Sequence, residues 1–116
     1  MHLIDGFFGS GIDHGAYGNR YLYRNVNVTD VLVHAAGWRI ENGHVGDVVT
    51  AKHRSDFTPT FVFDNVTIDS FTIRNAGNNG VIPGVYVLNG SGLSCDDIIY
   101  DNVVPGTKVI LDGSEC

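Results

Sequence analysis

A loose internal repeat constrains this sequence more than any other feature. Three segments begin at Val26, Val66 and Ile98, and each contains a short alternating strand, a turn and a second strand that ends in Asn-Gly or Asp-Gly. Their starts are spaced by 40 and 32 residues, which leaves room for loops. A repeat that restarts in the same order suits coils stacked on one another, because each coil then buries its apolar face against the next.

The alternation within the repeat predicts short β-strands with one face turned inward. The inward residues of the first two copies are Val26, Val28, Val66 and Ile68. Asn25 and Asn65 occupy equivalent turns, where stacked amide side chains could hydrogen-bond in a ladder. We therefore predict an all-β chain, a short right-handed parallel β-helix of about three to four coils. A sandwich or jelly roll is the main alternative, although its strands are usually joined as hairpins.

Composition agrees with an all-β class and excludes several partners. The 15 glycines accompany many Val, Ile, Thr and Asn residues, a mixture that favours short strands and tight turns. A net charge of −6 argues against nucleic acid as a partner, since phosphate contacts need clustered Lys and Arg. The absence of a long apolar run argues against a membrane span. The His residues lack ligand spacing, so we expect neither a metal nor a cofactor.

Cysteines and glycosylation sequons indicate a secreted, extracellular protein. Cys95 and Cys116 are the only cysteines, and a disulfide between them would tie the end of the sequence to an earlier turn. Three Asn-X-Ser/Thr sequons begin at Asn27, Asn65 and Asn89. The alternative for these sequons is ordinary turn-to-strand chemistry that carries no sugar.

One longer segment carries a motif. Residues 25–41 open on Asn-Val and reach Gly-Trp-Arg-Ile-Glu at 37–41, and an Asp-His-Gly stands upstream at 13–15. The segment resembles the polygalacturonase-type glycoside hydrolases, right-handed parallel β-helices of the pectin-lyase-like group. That family has an Asn-Val-Thr strand followed by Gly-X-Arg-Ile-Lys, with a Gly-His-Gly upstream. The coil that begins at Cys95 is similar in kind to the family's last coils.

The resemblance implies roles for particular residues. His14 would assist catalysis, and Arg39 would bind the carboxylate of a sugar acid. Glu41 stands where the family has Lys, which removes one of two cations that would hold a uronate. The family's catalytic acids precede the His, in Asn-Thr-Asp and Asp-Asp motifs, and the stretch before His14 holds no such pair. The resemblance therefore implies that residues 1–116 form one β-helix domain from the C-terminal part of a longer β-helical protein.

The residues themselves leave alternatives open. Asp13 and His14 can form an acid–imidazole pair in a Gly-rich segment, or they can belong to a surface loop. Arg39 can grip a carboxylate with its planar fork, or it can be a solvent-facing residue beside Trp38.

Two further groups are candidates for binding. Lys52 opens a Lys-His-Arg run that can hold an anion, supply the base of a β-eliminating lyase, or simply be solvated. Tyr17 belongs to an aromatic cluster with Tyr21 and Tyr23 that can stack on sugar rings or cover an open end of the helix.

Two functions of different classes follow from the sequence. The first is a polysaccharide glycoside hydrolase of the pectin or polyuronate type, or a C-terminal portion of one, expected to be a monomer. Its catalytic candidates are Asp13 and His14, and its substrate-binding candidates are Arg39, Tyr17 and Lys52. The alternative is a non-catalytic β-helical module that binds glycans or assembles into a trimeric spike. A polysaccharide is the expected partner in the first case.

Overall fold

The structure is a computed structural model that describes most of the chain. The described residues are 1–15, 20–34, 40–41, 44–45, 49–50, 58–74, 84–103 and 105–116. Within them the regular structure is all-β apart from one short 3-10 turn, Cys95–Asp97. Most strands pair in parallel, which separates this fold from an antiparallel sandwich or jelly roll.

The larger sheet, sheet A, has six strands in the order β1-β3-β8-β10-β12-β13. Its strands are β1 (His2–Asp5), β3 (Arg20–Asn27), β8 (Thr60–Thr67), β10 (Val85–Asn89), β12 (Lys108–Leu111) and β13 (Ser114–Glu115). The first five pair in parallel, and only β13 is antiparallel to its neighbour.

The second sheet, sheet B, has four parallel strands in the order β11-β9-β4-β2. Its strands are β2 (Gly11–Gly15), β4 (Asp30–His34), β9 (Ser70–Arg74) and β11 (Ile98–Asp101). A small antiparallel sheet is formed by β5 (Ile40–Glu41), β6 (His44–Val45) and β7 (Val49–Thr50).

The chain alternates between sheets A and B, and tight corners make the change of sheet. Residues 28–29 join β3 to β4, and residues 68–69 join β8 to β9. The two corners stack, because Val28 N–H donates to the Thr67 carbonyl (3.1 Å) and Asp69 N–H donates to the Thr29 carbonyl (3.0 Å). The first segment of each of the first two copies of the repeat, expected to be one strand, therefore forms two strands that are divided at these corners.

The core lies between the two sheets and is built from matched columns of side chains. In sheet A, Tyr21 pairs with Phe61 and Tyr23 with Phe63, and the rings stack at centroid distances of 5.2 and 4.8 Å. Phe71 of sheet B meets Phe61 edge-on at 5.1 Å, which joins the two walls. Of the inward residues predicted from the alternation, Val26, Val28 and Ile68 are confirmed as buried, and Val66 is partly buried.

A ladder of polar side chains runs along one edge of the core, as the sequence predicted for Asn25 and Asn65. Asn65 Nδ2 donates to Asn25 Oδ1 (2.7 Å), and Asn25 Nδ2 donates to Asp5 Oδ1 (3.2 Å). Both asparagines have left-handed backbone, with φ of 56° and 54°. Asn tolerates this region better than most residues, so the same side chain satisfies the turn and the ladder.

The far end of sheet A is closed by the last residues of the sequence. β13 pairs antiparallel with β12, and Cys116 N–H donates to the Val109 carbonyl (2.9 Å). Cys116 is joined to Cys95 by a disulfide, with the Cα atoms 5.5 Å apart. Asp96 and Asp97, adjacent acids in the sequence, belong to the 3-10 turn, where the Asp97 carboxylate accepts from Ser94 N–H (3.0 Å).

Asn25→Ala should lower the free energy of unfolding by about 2 kcal/mol, since it combines left-handed strain with loss of the ladder. Asn25→Gly is the matched control, because glycine keeps the backbone conformation and loses only the amide. We expect its cost to be about half as large in urea denaturation. Equal costs for the two variants would contradict the strain component.

Opening the disulfide should lower the free energy of unfolding by about 3 kcal/mol, because the cross-link restricts the unfolded chain. Cys116→Ser, Cys95→Ser and the double variant should give the same urea midpoint. A double variant much less stable than either single variant would show that the thiols contribute separately.

Candidate functional site

The outer face of sheet B collects polar and charged side chains on neighbouring strands. Its inward residues alternate with outward ones, as expected for strands with one face in the core. The outward polar residues are Asp13, Asp30, His34, Ser70, Thr72, Arg74 and Asp101. Because all four strands run in the same direction, these side chains form transverse rows rather than scattered points.

Asp13 and His34 form a carboxylate–imidazole pair across β2 and β4. Asp13 Oδ1 contacts His34 Nε2 directly. The Asp13 side chain is 61% exposed and that of His34 is 28% exposed, so solvent reaches the carboxylate while the imidazole is partly shielded. A carboxyl group beside an imidazole can exchange a proton with a bound molecule: it donates when protonated and accepts when ionised.

Asp30, on the same face, is held by two hydroxyl groups of β9. Ser70 Oγ donates to Asp30 Oδ1 at 2.7 Å, and Thr72 Oγ1 lies 3.2 Å from the same oxygen. Thr72 is one of the few buried polar residues of the described chain, with 7% of its surface exposed. These two hydroxyl donors hold the Asp30 carboxylate in place as a hydrogen-bond acceptor.

Arg74 and Asp101 form a second charged pair, on β9 and β11. Arg74 Nε donates to Asp101 Oδ2 at 2.7 Å, and both side chains are about two-fifths to one-half exposed. An exposed pair of this kind adds little to stability. Its guanidinium is well placed to meet a ligand that approaches the outer face.

His14 points the other way, into the space between the sheets. Its ring stacks on Tyr21 at 4.8 Å, and its two nitrogens contact the Gly15 carbonyl (2.9 Å) and the Tyr23 hydroxyl. A carbonyl only accepts, so Nδ1 carries the proton and Nε2 accepts from Tyr23. Burial lowers the pKa of His14 and raises that of Tyr23 well above its usual value, which favours the neutral form of both groups.

The structure therefore does not bring Asp13 and His14 together as an acid–imidazole pair. Neighbouring residues of a strand face opposite sides, so Asp13 lies outside and His14 inside. The imidazole that meets Asp13 belongs to His34, one strand away. Tyr21 and Tyr23, expected either to bind sugar or to cover an end, are instead buried in the core.

The other predicted binding residues cannot be placed. Tyr17, Arg39 and Lys52 all lie outside the described residues. In the sequence, Tyr17 follows β2, Arg39 follows β4 and Lys52 follows β7.

The three sequons differ in their surroundings. Asn27 and Asn89 are exposed at the ends of β3 and β10. Asn65 is also exposed, but its amide nitrogen, the atom to which a glycan would be attached, donates to Asn25 in the ladder. Glycosylation at Asn65 would compete with that hydrogen bond.

Sequence reasoning missed His34, Asp30, Arg74 and Asp101 as partners on one face. The signal that could have found them is positional. Each stands at an outward position of a strand in sheet B, and strand pairing puts Asp30 opposite Ser70 and His34 opposite Arg74. That register becomes visible only once the repeat is divided at residues 28–29 and 68–69.

Comparison with protein-family models, curated proteins and solved structures finds no match to this chain. Within the described ranges, no group of three or more His, Cys, Asp or Glu side chains is placed to hold a metal ion. The described part of the chain also contains no helix that is long and apolar enough to cross a membrane.

The buried neutral His14 should make stability depend on pH. Its pKa is below the usual value of 6.5 in the folded chain, so the unfolded chain binds the proton more readily. The contribution of neutral His14 to the free energy of unfolding should be complete at pH values above 6.5, and it should be lost as the pH falls from there through the lower pKa of the folded chain. His14→Gln keeps a hydrogen-bond donor and an acceptor but does not titrate, so it should flatten the dependence of stability on pH. Urea denaturation at pH values above and below 6.5 measures this dependence. An unchanged slope in the variant would exclude His14 as the source.

Proposed function

We propose that sheets A and B are two walls of a short right-handed parallel β-helix. The chain passes alternately between them, and each return adds a parallel strand beside the previous one. Parallel crossovers are almost always right-handed. By this count, sheet B contributes one strand to each of four coils, within the range expected from the repeat.

We infer that this β-helix is a secreted, carbohydrate-active protein of the polygalacturonase type, or a part of one, with its substrate site on the outer face of sheet B. The observation that carries the proposal is the exposed Asp13–His34 pair beside the fixed carboxylate of Asp30. The Gly-Trp-Arg-Ile stretch at 37–40, which resembles the family's substrate-binding motif, begins three residues after the end of β4 in the sequence. The disulfide suits an oxidising, extracellular environment.

The chemistry assigns different work to the two acids. Asp13 is exposed and contacts an imidazole, so it is the residue to transfer a proton to the glycosidic oxygen. Asp30 accepts hydrogen bonds from Ser70 and Thr72, which position its carboxylate for activation of water or stabilisation of positive charge on the sugar.

The spacing of the two acids suits this division of work. Gly11 pairs with Asp30. Asp13 lies two residues further along β2 and is therefore the diagonal neighbour of Asp30 on the same face. Such neighbours lie roughly 7 Å apart, within the separation of about 5 to 9.5 Å found between glycosidase carboxylates.

The first test is binding and cleavage by the wild-type chain. We expect polygalacturonate or a neutral plant polysaccharide to retard it in affinity electrophoresis and to gain reducing ends on incubation. Asp13→Asn should lower the cleavage rate by at least about a hundredfold, because it removes the transferable proton. His34→Gln should lower the rate less and alter its pH profile.

Asp69→Asn is the matched control, since Asp69 is an exposed acid in the corner between β8 and β9. It removes the same charge outside the four strands of sheet B and should leave binding and cleavage unchanged. A wild-type chain that neither binds nor cleaves any of the polysaccharides would reject the proposal. Equal losses in Asp13→Asn and Asp69→Asn would reject the assigned site.

A second candidate, a non-catalytic glycan-binding module, is favoured by the engagement of the acids. Asp30 is occupied by Ser70 and Thr72, and Asp101 by Arg74, so the described face resembles a fixed hydrogen-bonding surface. In this case the wild-type chain binds polysaccharide without producing reducing ends. Asp13→Asn should then weaken binding, and neither the variant nor the wild-type chain should cleave the polysaccharide.

A further inference from the structure

The outward side of the corner between β3 and β4 carries the first of the three sequons. Asn27 ends β3 and stands between Val26 and Val28, which are both buried. Because successive side chains of extended backbone point to opposite sides, the Asn27 side chain points away from the core, and it is exposed. In the part of the chain that the structure describes, no hydrogen bond holds this side chain, so its amide nitrogen is accessible.

An aromatic residue lies directly beside Asn27. Phe8 forms an isolated parallel bridge with Asn27. Asn27 N–H donates to the Phe7 carbonyl (2.9 Å), and Gly9 N–H donates to the Asn27 carbonyl (3.1 Å). Paired residues of parallel strands point to the same side and lie about 5 Å apart. Phe8, which is 72% exposed, therefore shares the outward direction of Asn27, and this pairing sets that direction whatever lies beside β1.

The ring of Phe8 suits contact with a sugar attached to its neighbour. A large apolar ring in solvent is stabilised by whatever covers it. N-acetylglucosamine, the first sugar of an N-linked glycan, has an apolar face of C–H groups that can pack on such a ring. A sugar joined to the Asn27 side chain first meets the residues paired with Asn27, which are Phe8 and Thr67.

The other two sequons have different surroundings. Asn65 Nδ2, the atom that a sugar would modify, donates to Asn25 Oδ1 at 2.7 Å in the ladder. Asn89 is exposed, but the residue paired with it is Val62, which has no ring. Of the three sequon asparagines, only Asn27 is paired with an aromatic residue in the described strands.

We propose that Asn27 is an N-glycosylation site and that Phe8 packs against the first sugar of its glycan. Asn27 Nδ2 forms a bond to C1 of N-acetylglucosamine, while the bond from C1 to the pyrophosphate of a lipid-linked oligosaccharide breaks. The pyrophosphate leaves with the bonding electrons, and the amide releases one proton. The site rests on the secreted location in the proposed function, and it does not require the activity proposed for sheet B.

Secretion of the full chain from cultured mammalian cells, behind a cleavable signal peptide, tests the modification. Peptide-N-glycosidase F removes glycans and converts the modified Asn to Asp, which takes up heavy oxygen from labelled water. We expect mass spectrometry to find this label at position 27, and Asn27→Gln to abolish it. A secreted chain with unmodified Asn27 would overturn the proposal. The polysaccharide assays use the variants of Asp13 and Asp69, so their outcome is independent of this one.

The contact with Phe8 has a separate readout. Cells that make only high-mannose glycans, followed by endoglycosidase H, leave one N-acetylglucosamine on Asn27, and Asn89→Gln in every chain excludes a second glycan there. In urea denaturation, we expect this sugar to raise the ratio of folded to unfolded molecules by about fivefold over the unmodified, oxidised chain from bacteria. Phe8→Ser should lose most of that gain, because it removes the ring on which the sugar packs.

Phe7→Ser is the matched control, because Phe7 is also an exposed phenylalanine, at 45%, but is not the residue paired with Asn27. It should keep the fivefold gain. Phe8→Leu replaces Phe8→Ser if that variant is not secreted, and it should lose part of the gain because it lacks a flat ring. A gain unchanged by both Phe8 variants, or lost equally with Phe7→Ser, would refute the contact.

Discussion

The parallel pairing of β3 with β8 is the constraint on which the rest of this structure depends. Seven residue pairs are matched along these two strands, and the match puts tyrosine on phenylalanine twice, valine on valine, and asparagine beside asparagine. Each column is a separate weak interaction, but all of them share one register. A slip of one residue would turn every inward ring outward and separate the amides of the ladder, so the columns specify the register jointly.

The same register determines what the outer face can do. Because β2, β4, β9 and β11 are carried in step with the strands of sheet A, their outward polar residues face one another across the strands. Three pairs of side chains on that face are in contact: Asp13 with His34, Asp30 with Ser70, and Arg74 with Asp101. The backbone hydrogen bonds that fix the register of the strands therefore also fix which charged side chains meet on the surface.

Much of the fold could be predicted from the sequence, and less of the site. Val26, Val28 and Ile68 were identifiable as inward residues because period two is a property of one strand, and Asn25 and Asn65 as partners because they hold equivalent places in a repeat. The strands β1 and β2 were not identified, since His2–Asp5 and Gly11–Gly15 are short and carry few β-branched residues. The pairing of Asp13 with His34 rather than His14 depends on strand direction and register, which adjacency in the sequence does not encode.

The stacked corners at residues 28–29 and 68–69 have a consequence for how such a chain can change in length. Between them lies one complete circuit, from sheet A through sheet B and back, that begins and ends on equivalent backbone. Removal or duplication of this circuit would bring like edges together and leave the columns continuous. Insertion of a single residue within β3 or β8 would instead invert the faces beyond it. A whole circuit, which adds one strand to each sheet, is therefore the natural unit of gain and loss, and the number of strands in sheets A and B can change without altering the register of those that remain.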